Sequence, residues 1–164
     1  MIHHSAIIDP TAFIGINVSI DEDVYIGPFC AVGLPPEWKG KEHHNEGVHI
    51  GKGTKLMGYV SIDAGAEHRT FIGDNCYIQK HTHISHDCFL EDDVTAAMGV
   101  VIAGKCTIGK GTNIGMNASI HQGVYIPPGC MIGANSFVAK KSILLQGMKY
   151  AGVPIRLLGP NIRK

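Results

Sequence analysis

The chain carries no acidic residue after Asp93, no C-x-x-C pair and no apolar run long enough to cross a bilayer. Aromatic residues make up 7% of it, with a single tryptophan, Trp38. Each scarcity excludes something. Without roughly 18 consecutive apolar residues no membrane span is expected. An N-terminus without a basic segment followed by an apolar stretch gives no secretory signal, so a reduced, cytoplasmic protein is the expectation. Five cysteines, an odd count without C-x-x-C spacing, fit neither a disulfide framework nor a zinc ribbon. Basic residues without aromatics among them do not form a nucleic-acid platform, so no nucleic-acid partner is expected. The missing acids also make the charge lopsided, although it sums to zero. All 14 acidic and 6 of the 14 basic residues lie in 1–93, leaving 8 basic residues and no acid in 94–164. A basic half of this kind suits a phosphorylated ligand or an acidic partner.

What is present is a period of six. Ile72, Ile78, Ile84, Leu90, Ala96, Ile102, Ile108, Ile114, Ile120, Ile126, Ile132 and Val138 recur at every sixth position, with earlier runs Ile8 to Val32 and Ile50 to Ile62. Six is not helical, because 3.6 residues per turn would scatter these side chains around the cylinder. Short extended segments broken by regular corners would return each aliphatic to one axis, which predicts an all-β fold, a parallel β-helix that buries its core by stacking coils. Four places after each aliphatic stands a small or β-branched residue, and Cys30, Cys76, Cys88, Cys106 and Cys130 all occupy that position. They are expected as small core thiols. Glycine often follows the aliphatic, as at Gly15, Gly51, Gly73 and Gly115. Glycine there permits a tight corner or a close approach of backbone, so these read as corner residues, and no GxGxxG or Walker pattern is needed to explain them. The rhythm predicts a β-helix over 1–138, a surface loop over about 33–49, a smaller interruption between Ile62 and Ile72, and a tail over 139–164 of short strand and helix packed on the coil.

Chemistry is sought among the 10 histidines. His81-Thr-His83-Ile-Ser-His86-Asp87-Cys88 lies within the regular rhythm, so its imidazoles project from rigid backbone. With three hexads per coil, the position 18 residues beyond His86 is Gly104, one coil away. A neutral imidazole beside a bare glycine N–H suits acyl transfer: the imidazole removes the acceptor's proton and the N–H stabilises the tetrahedral oxyanion.

His83-Ile-Ser-His86-Asp87-Cys88 resembles the His-Ile-Ala-His-Asp-Cys block of hexapeptide-repeat acyltransferases, specifically the UDP-N-acetylglucosamine acyltransferases of lipid A synthesis. Ala103-Gly104 is similar to that family's Ala-Gly-His, and Gly115-Met-Asn-Ala-Ser-Ile-His121-Gln122 to its Gly-Gly-Met-Thr-Ala-Val-His-Gln. The resemblance implies a left-handed β-helix and a homotrimer with active sites between subunits. It implies His86 as general base, Gly104 as oxyanion donor, and His83 and His121 as substrate contacts. Asp87 would orient His86, although neighbours in an extended segment face opposite ways. Val60-Ser-Ile-Asp63-Ala-Gly65 resembles the Thr-Ile-Asp-Arg-Gly of the related N-acyltransferases, which adds Asp63 to the substrate contacts. Lys105 stands where the lipid A family has histidine. Tyr150-Ala-Gly-Val-Pro154-Ile-Arg156 resembles the ending of sugar acetyltransferases that use acetyl-CoA, and since the basic C-terminal half suits the phosphates of CoA, Lys105, Lys140 and Arg156 are the candidates for donor binding. The implied reaction passes an acetyl or other short acyl group from CoA to a hydroxyl or amine of a sugar or nucleotide-sugar, with no bound cofactor or metal. An acyl carrier protein is the alternative donor. A second family on this scaffold, the γ-class carbonic anhydrases, holds zinc with three histidines, and His81 and His86 share its five-residue spacing, with His68 as third candidate. A β-helix serving only as a binding module gives no reason for His86 and Gly104 to stand one coil apart.

Overall fold

A computed structural model describes residues 1–37 and 44–162. Its strands fall into three sheets of nine, seven and six strands, parallel except for the last strand of the nine-stranded sheet, and none of the described residues is helical. Up to Phe137–Val138 no two consecutive strands pair; each moves to the next sheet and pairs with the strand three further on. The chain therefore winds as a left-handed parallel β-helix with a triangular section. In the regular part Tyr77 pairs with Thr95, His83 with Val101 and Phe89 with Thr107, each partner 18 residues on.

The hexad builds this section residue by residue. The aliphatics point inward and are fully buried, from Ile20 and Ile26 to Ile132 and Val138. The small position four residues later closes the corner of the triangle, where all five cysteines lie buried as free thiols. Four of these corner positions are polar, and their hydroxyls are satisfied by backbone. Thr54 Oγ1 donates to Gly73 O at 2.7 Å and accepts from Cys76 N at 2.9 Å. Thr82 and Thr112 donate to Ala97 O and Pro127 O, and Ser136 accepts from Gly152 N.

The corner itself is turned by the residue three places after the aliphatic, which takes positive φ: Asn75 at 53°, Asp87 at 58°, Asn117 and Asn135 at 55°. Asn and Asp tolerate this region better than other side-chain-bearing residues. The glycines that follow the aliphatics do something else. A Cβ on Gly73 would lie 2.8 Å from Asp92 N, and one on Gly115 2.6 Å from Ala134 N, so they permit close stacking of coils.

Two insertions leave the coil, and both leave at one corner. Ala31–Leu34 and Ser61–Asp63 lie in the seven-stranded sheet, while the strands that follow them, Val48–Ile50 and Thr70–Ile72, lie in the six-stranded sheet. The two detours are joined: Gly65 N donates to Gly47 O at 3.0 Å and Glu46 N to Gly65 O at 2.9 Å. Trp38 and His43, within the expected surface loop, lie outside the described residues, as do Arg163 and Lys164. Past Val138 the coil continues. Met148–Ala151 pairs in parallel with Met131–Ile132, and Arg156–Pro160 folds back antiparallel on it. The segment expected as strand and helix is thus two strands among its described residues, because the backbone at 148–151 finds free ladder groups at the end of the nine-stranded sheet.

Candidate active site

The corner that carries both insertions also carries His86. The chain leaves the seven-stranded sheet at His83–Ile84, turns through Ser85, His86, Asp87 and Cys88, and enters the six-stranded sheet at Phe89–Leu90. Neighbouring side chains oppose each other only in extended backbone. Here the positive φ of Asp87 swings its carboxylate back alongside the preceding residue. His86 Nδ1 donates to Asp87 Oδ2 at 2.8 Å, and both side chains are buried. The objection from strand geometry is removed by the corner. With the proton on Nδ1 facing the carboxylate, Nε2 is the basic nitrogen.

Asp87 Oδ1 accepts three backbone N–H groups, from Ala66, Glu67 and His68, at 2.8–2.9 Å. Burial works to raise the Asp87 carboxyl, but these donors and His86 together outweigh it and hold the group below its ordinary value. It is therefore a carboxylate at neutral pH.

Gly104 stacks one coil beyond His86, as the spacing predicts: Lys105 N donates to His86 O at 2.9 Å and Gly123 N to Gly104 O at 2.9 Å. A Cβ on Gly104 would fall 2.7 Å from both Cε1 and Nε2 of His86. The imidazole edge thus lies directly over the glycine, which must lack a side chain to receive it. Among the described residues no acceptor engages the Gly104 N–H.

A second histidine–carboxylate pair lies one strand back. His83 pairs with Ser61 across the seven-stranded sheet, and its Nδ1 is 2.8 Å from Ser61 Oγ. Its Nε2 is 3.7 Å from Asp63 Oδ2, too far for a hydrogen bond but within ion-pair reach of an imidazolium. Ser85 Oγ donates to Asp63 Oδ2 at 3.3 Å. Burial pushes the Asp63 carboxyl up, against the opposing effects of His83 and Ser85. His121 stacks a coil beyond Ala103 at the same corner, exposed, edge-on to Phe137 at 6.3 Å. The corner thus gathers Asp63, His83, His86, Asp87, Gly104 and His121.

The donor-binding candidates are not gathered in the same way. Lys105 is at the corner, but its Nζ pairs with Glu67 Oε2 at 2.6 Å. Lys140 is exposed two coils beyond Gly104, about 10 Å at the usual strand spacing. Arg156 lies in the nine-stranded sheet, away from this corner. Of the three histidines of the zinc reading, His68 and His86 share this corner and His81 does not. His81 turns the corner at the other end of the His83–Ile84 strand and stacks on Tyr59 at 5.0 Å, and within this one chain no group of three or more His, Cys, Asp or Glu side chains placed to hold a metal ion occurs among the described residues.

Sequence reasoning missed Ser61, Ser85, Thr70 and the N–H groups of 66–68. Ser61 stands 22 residues before His83, so the 18-residue rule points past it. The available signal was the insertion length between Ile62 and Ile72, which restores the register once subtracted.

Parallel coils of hexads, with a histidine over a glycine at one corner, place the chain in the hexapeptide-repeat class of left-handed β-helix acyltransferases. No family model matches the chain. It is 35% identical over 125 residues to the acyl-(acyl-carrier-protein)–UDP-N-acetylglucosamine O-acyltransferase of Helicobacter pylori, a match spanning 74% of this chain and 46% of the relative. The enzyme of that name from Campylobacter lari is 32% identical over 195 aligned positions, spanning 96% of this chain and 74% of the relative. The chain belongs to the UDP-N-acetylglucosamine O-acyltransferase family. It spans only about half the length of the Helicobacter relative. Among solved structures, a UDP-N-acetylglucosamine acyltransferase superposes with TM-score 0.82 at 28% identity, covering 98% of this chain and 74% of that one. The Campylobacter jejuni enzyme superposes with TM-score 0.77 at 25% identity, with 98% and 75% covered. Perosamine N-acetyltransferase from Caulobacter crescentus shares the fold at TM-score 0.52 and 19% identity, with 94% and 56% covered.

Proposed function

We propose that this protein transfers an acyl group from a thioester to a nucleotide-sugar, with UDP-N-acetylglucosamine the first acceptor to test. The observation that carries the reading is the His86 ring, fixed by Asp87 at Nδ1 and laid over Gly104 at its Nε2 edge. Nε2 removes the proton from the acceptor's hydroxyl as its oxygen attacks the thioester carbonyl. The carbonyl oxygen gains the charge, and the Gly104 N–H donates to it. Collapse breaks the carbon–sulfur bond, and the departing thiolate takes the proton back from the imidazolium. His83, Asp63 and His121 line the acceptor side of the corner, and Lys105 is the donor-side residue nearest the base.

For the donor, the names of the relatives favour an acyl carrier protein. The residues favour a phosphorylated carrier of either kind, since the phosphopantetheine arm is common to CoA and to the carrier protein and the C-terminal part of the chain is basic. The short-acyl-CoA reading rests on the resemblance of the tail around Arg156. We propose further that the working form is a homotrimer in the cytoplasm; among the described residues no helix is long and apolar enough to cross a membrane.

The deciding experiment offers purified protein acyl-carrier-protein thioesters of several chain lengths, and acetyl-CoA in parallel, with UDP-N-acetylglucosamine as acceptor. Acyl-UDP-N-acetylglucosamine from the carrier-protein thioester, reduced about 10²–10⁴-fold by His86→Ala, supports the reading. Turnover with acetyl-CoA alone moves the donor to CoA. Turnover unaffected by His86→Ala removes His86 as the base.

A further inference from the structure

The carboxylate beside His86 is held at both oxygens, and only one of them faces the imidazole. Oδ2 accepts from His86 Nδ1, while Oδ1 sits against the N–H groups of Ala66, Glu67 and His68. The Asp87 N–H in turn donates to Thr70 Oγ1 at 3.0 Å, and Thr70 is fully buried. Every donor on Oδ1 comes from the short interruption between Ser61–Asp63 and Thr70–Ile72, the break in the hexad rhythm. That turn closes tightly: a Cβ on Gly65 would fall 1.7 Å from His68 O. It is also tied down, since Gly65 bonds through both its N–H and its C=O to the exit of the larger insertion.

We propose that the 64–69 turn is a positioning device for the catalytic base: its three converging N–H groups dictate which face of Asp87 meets His86, and so dictate the imidazole tautomer. Only an acceptor atom fits against three N–H donors. The opposite atom of Asp87 is thereby aimed at Nδ1 and must also be an acceptor, so the imidazole proton is confined to Nδ1 and the lone pair to Nε2, over Gly104. The turn acts through Asp87 and touches no substrate; Asp87 and the turn are positioning groups. A glycine-closed insertion, which reads in the sequence as a lapse in the repeat, is on this account part of the site.

This inference rests on His86 being the base, but its test needs no turnover. The full chain is labelled with ¹⁵N-histidine, and the His86 signals, assigned by their loss in His86→Ala, are read above the imidazole's titration range. The wild-type protein is expected to show the Nδ1–H tautomer. Asp87→Asn is the decisive variant, because the turn retains the amide oxygen and directs the NH₂ group at His86 Nδ1, which forces the Nε2–H tautomer. The analogous change in a serine protease triad gives a wrong tautomer. In Gly65→Ala the displaced turn releases the carboxylate, and a mixture of both tautomers is expected, with kcat lowered about tenfold or more and KM little changed. If His86 keeps Nδ1–H in Asp87→Asn, or keeps it undiluted in a folded Gly65→Ala protein, the turn does not set the tautomer and the proposal is overturned. Asp87→Asn decides alone should Gly65→Ala fail to fold. A tautomer that flips as expected in a protein without acyltransferase activity would sink the functional reading and leave the positioning role standing.

Discussion

The chemistry of this corner depends on single atoms. Gly104 lies under the imidazole edge with room for a hydrogen and nothing more. Gly104→Ala should therefore displace the His86 ring. Steady-state kinetics should show kcat reduced about 100-fold or more, as for loss of a general base, and chemical denaturation a loss of about 1–3 kcal/mol from overpacking. Asp63 poses the opposite case. Burial raises its carboxyl above the ordinary value of 3.8. A group whose pKa is raised on folding contributes stability below its unfolded pKa, and that contribution is lost as pH rises through the folded value. In its charged form Asp63 is then a burden on the fold, offset in part by His83 at 3.7 Å. Asp63→Asn should raise the melting temperature at pH 8, and the gain should vanish below about pH 4, where the native residue is itself neutral. Thermal scans across that range check it; equal gains at both ends would remove the charge as the cause. Asp87 runs the other way, with its carboxyl held below 3.8, so its contribution is complete above that value and is lost only in stronger acid.

At the scale of the element, most strands are two or three residues long and none exceeds five, so none could persist alone. What holds a coil is the turn chemistry at its corners and the hydrogen bonds to the coils on either side. Thr54 shows the local cost. Its hydroxyl bridges Gly73 O and Cys76 N inside a fully buried corner. Thr54→Val keeps the volume but leaves those groups without this partner, which should cost about 1–3 kcal/mol in denaturant unfolding. Val at this position elsewhere, as at Val94 and Val100, is not a counter-example, since a valine native to its corner strands no partner of a threonine hydroxyl. Positive φ falls three residues after the aliphatic, at Asn75, Asp87 and Asn117, so of the two uses a glycine beside the aliphatic allows, Gly73 and Gly115 serve the close approach of backbone.

The whole molecule leaves apolar side chains uncovered along one edge. Phe29 and Tyr59 stack at 5.0 Å and Tyr59 stacks on His81, while Met98 and Met116 lie exposed on neighbouring coils of the same corner. Surface of this kind is what assembly covers. Sedimentation equilibrium should return three times the mass of 17.6 kDa. Tyr59→Glu, at the other corner from His86, should shift the protein towards monomer and lower activity in proportion to the trimer lost. A monomeric wild-type protein with full activity would end the trimer proposal.

The period of six determined the β-helix by itself, because each hexad buries one aliphatic and one small residue whatever surrounds it. Eighteen-residue spacing was enough to bring Gly104 beneath His86, since stacking in register is the only way such coils can share a core. The rest of the site was decided in three dimensions. Asp87 reaches His86 through a left-handed corner that extended-strand geometry does not contain, and Ser61 meets His83 only after an insertion has shifted the count. The three N–H groups on Asp87 belong to backbone, which has no letter in a sequence. Residue types record what a side chain offers, and the closing of the coil decides which atoms meet.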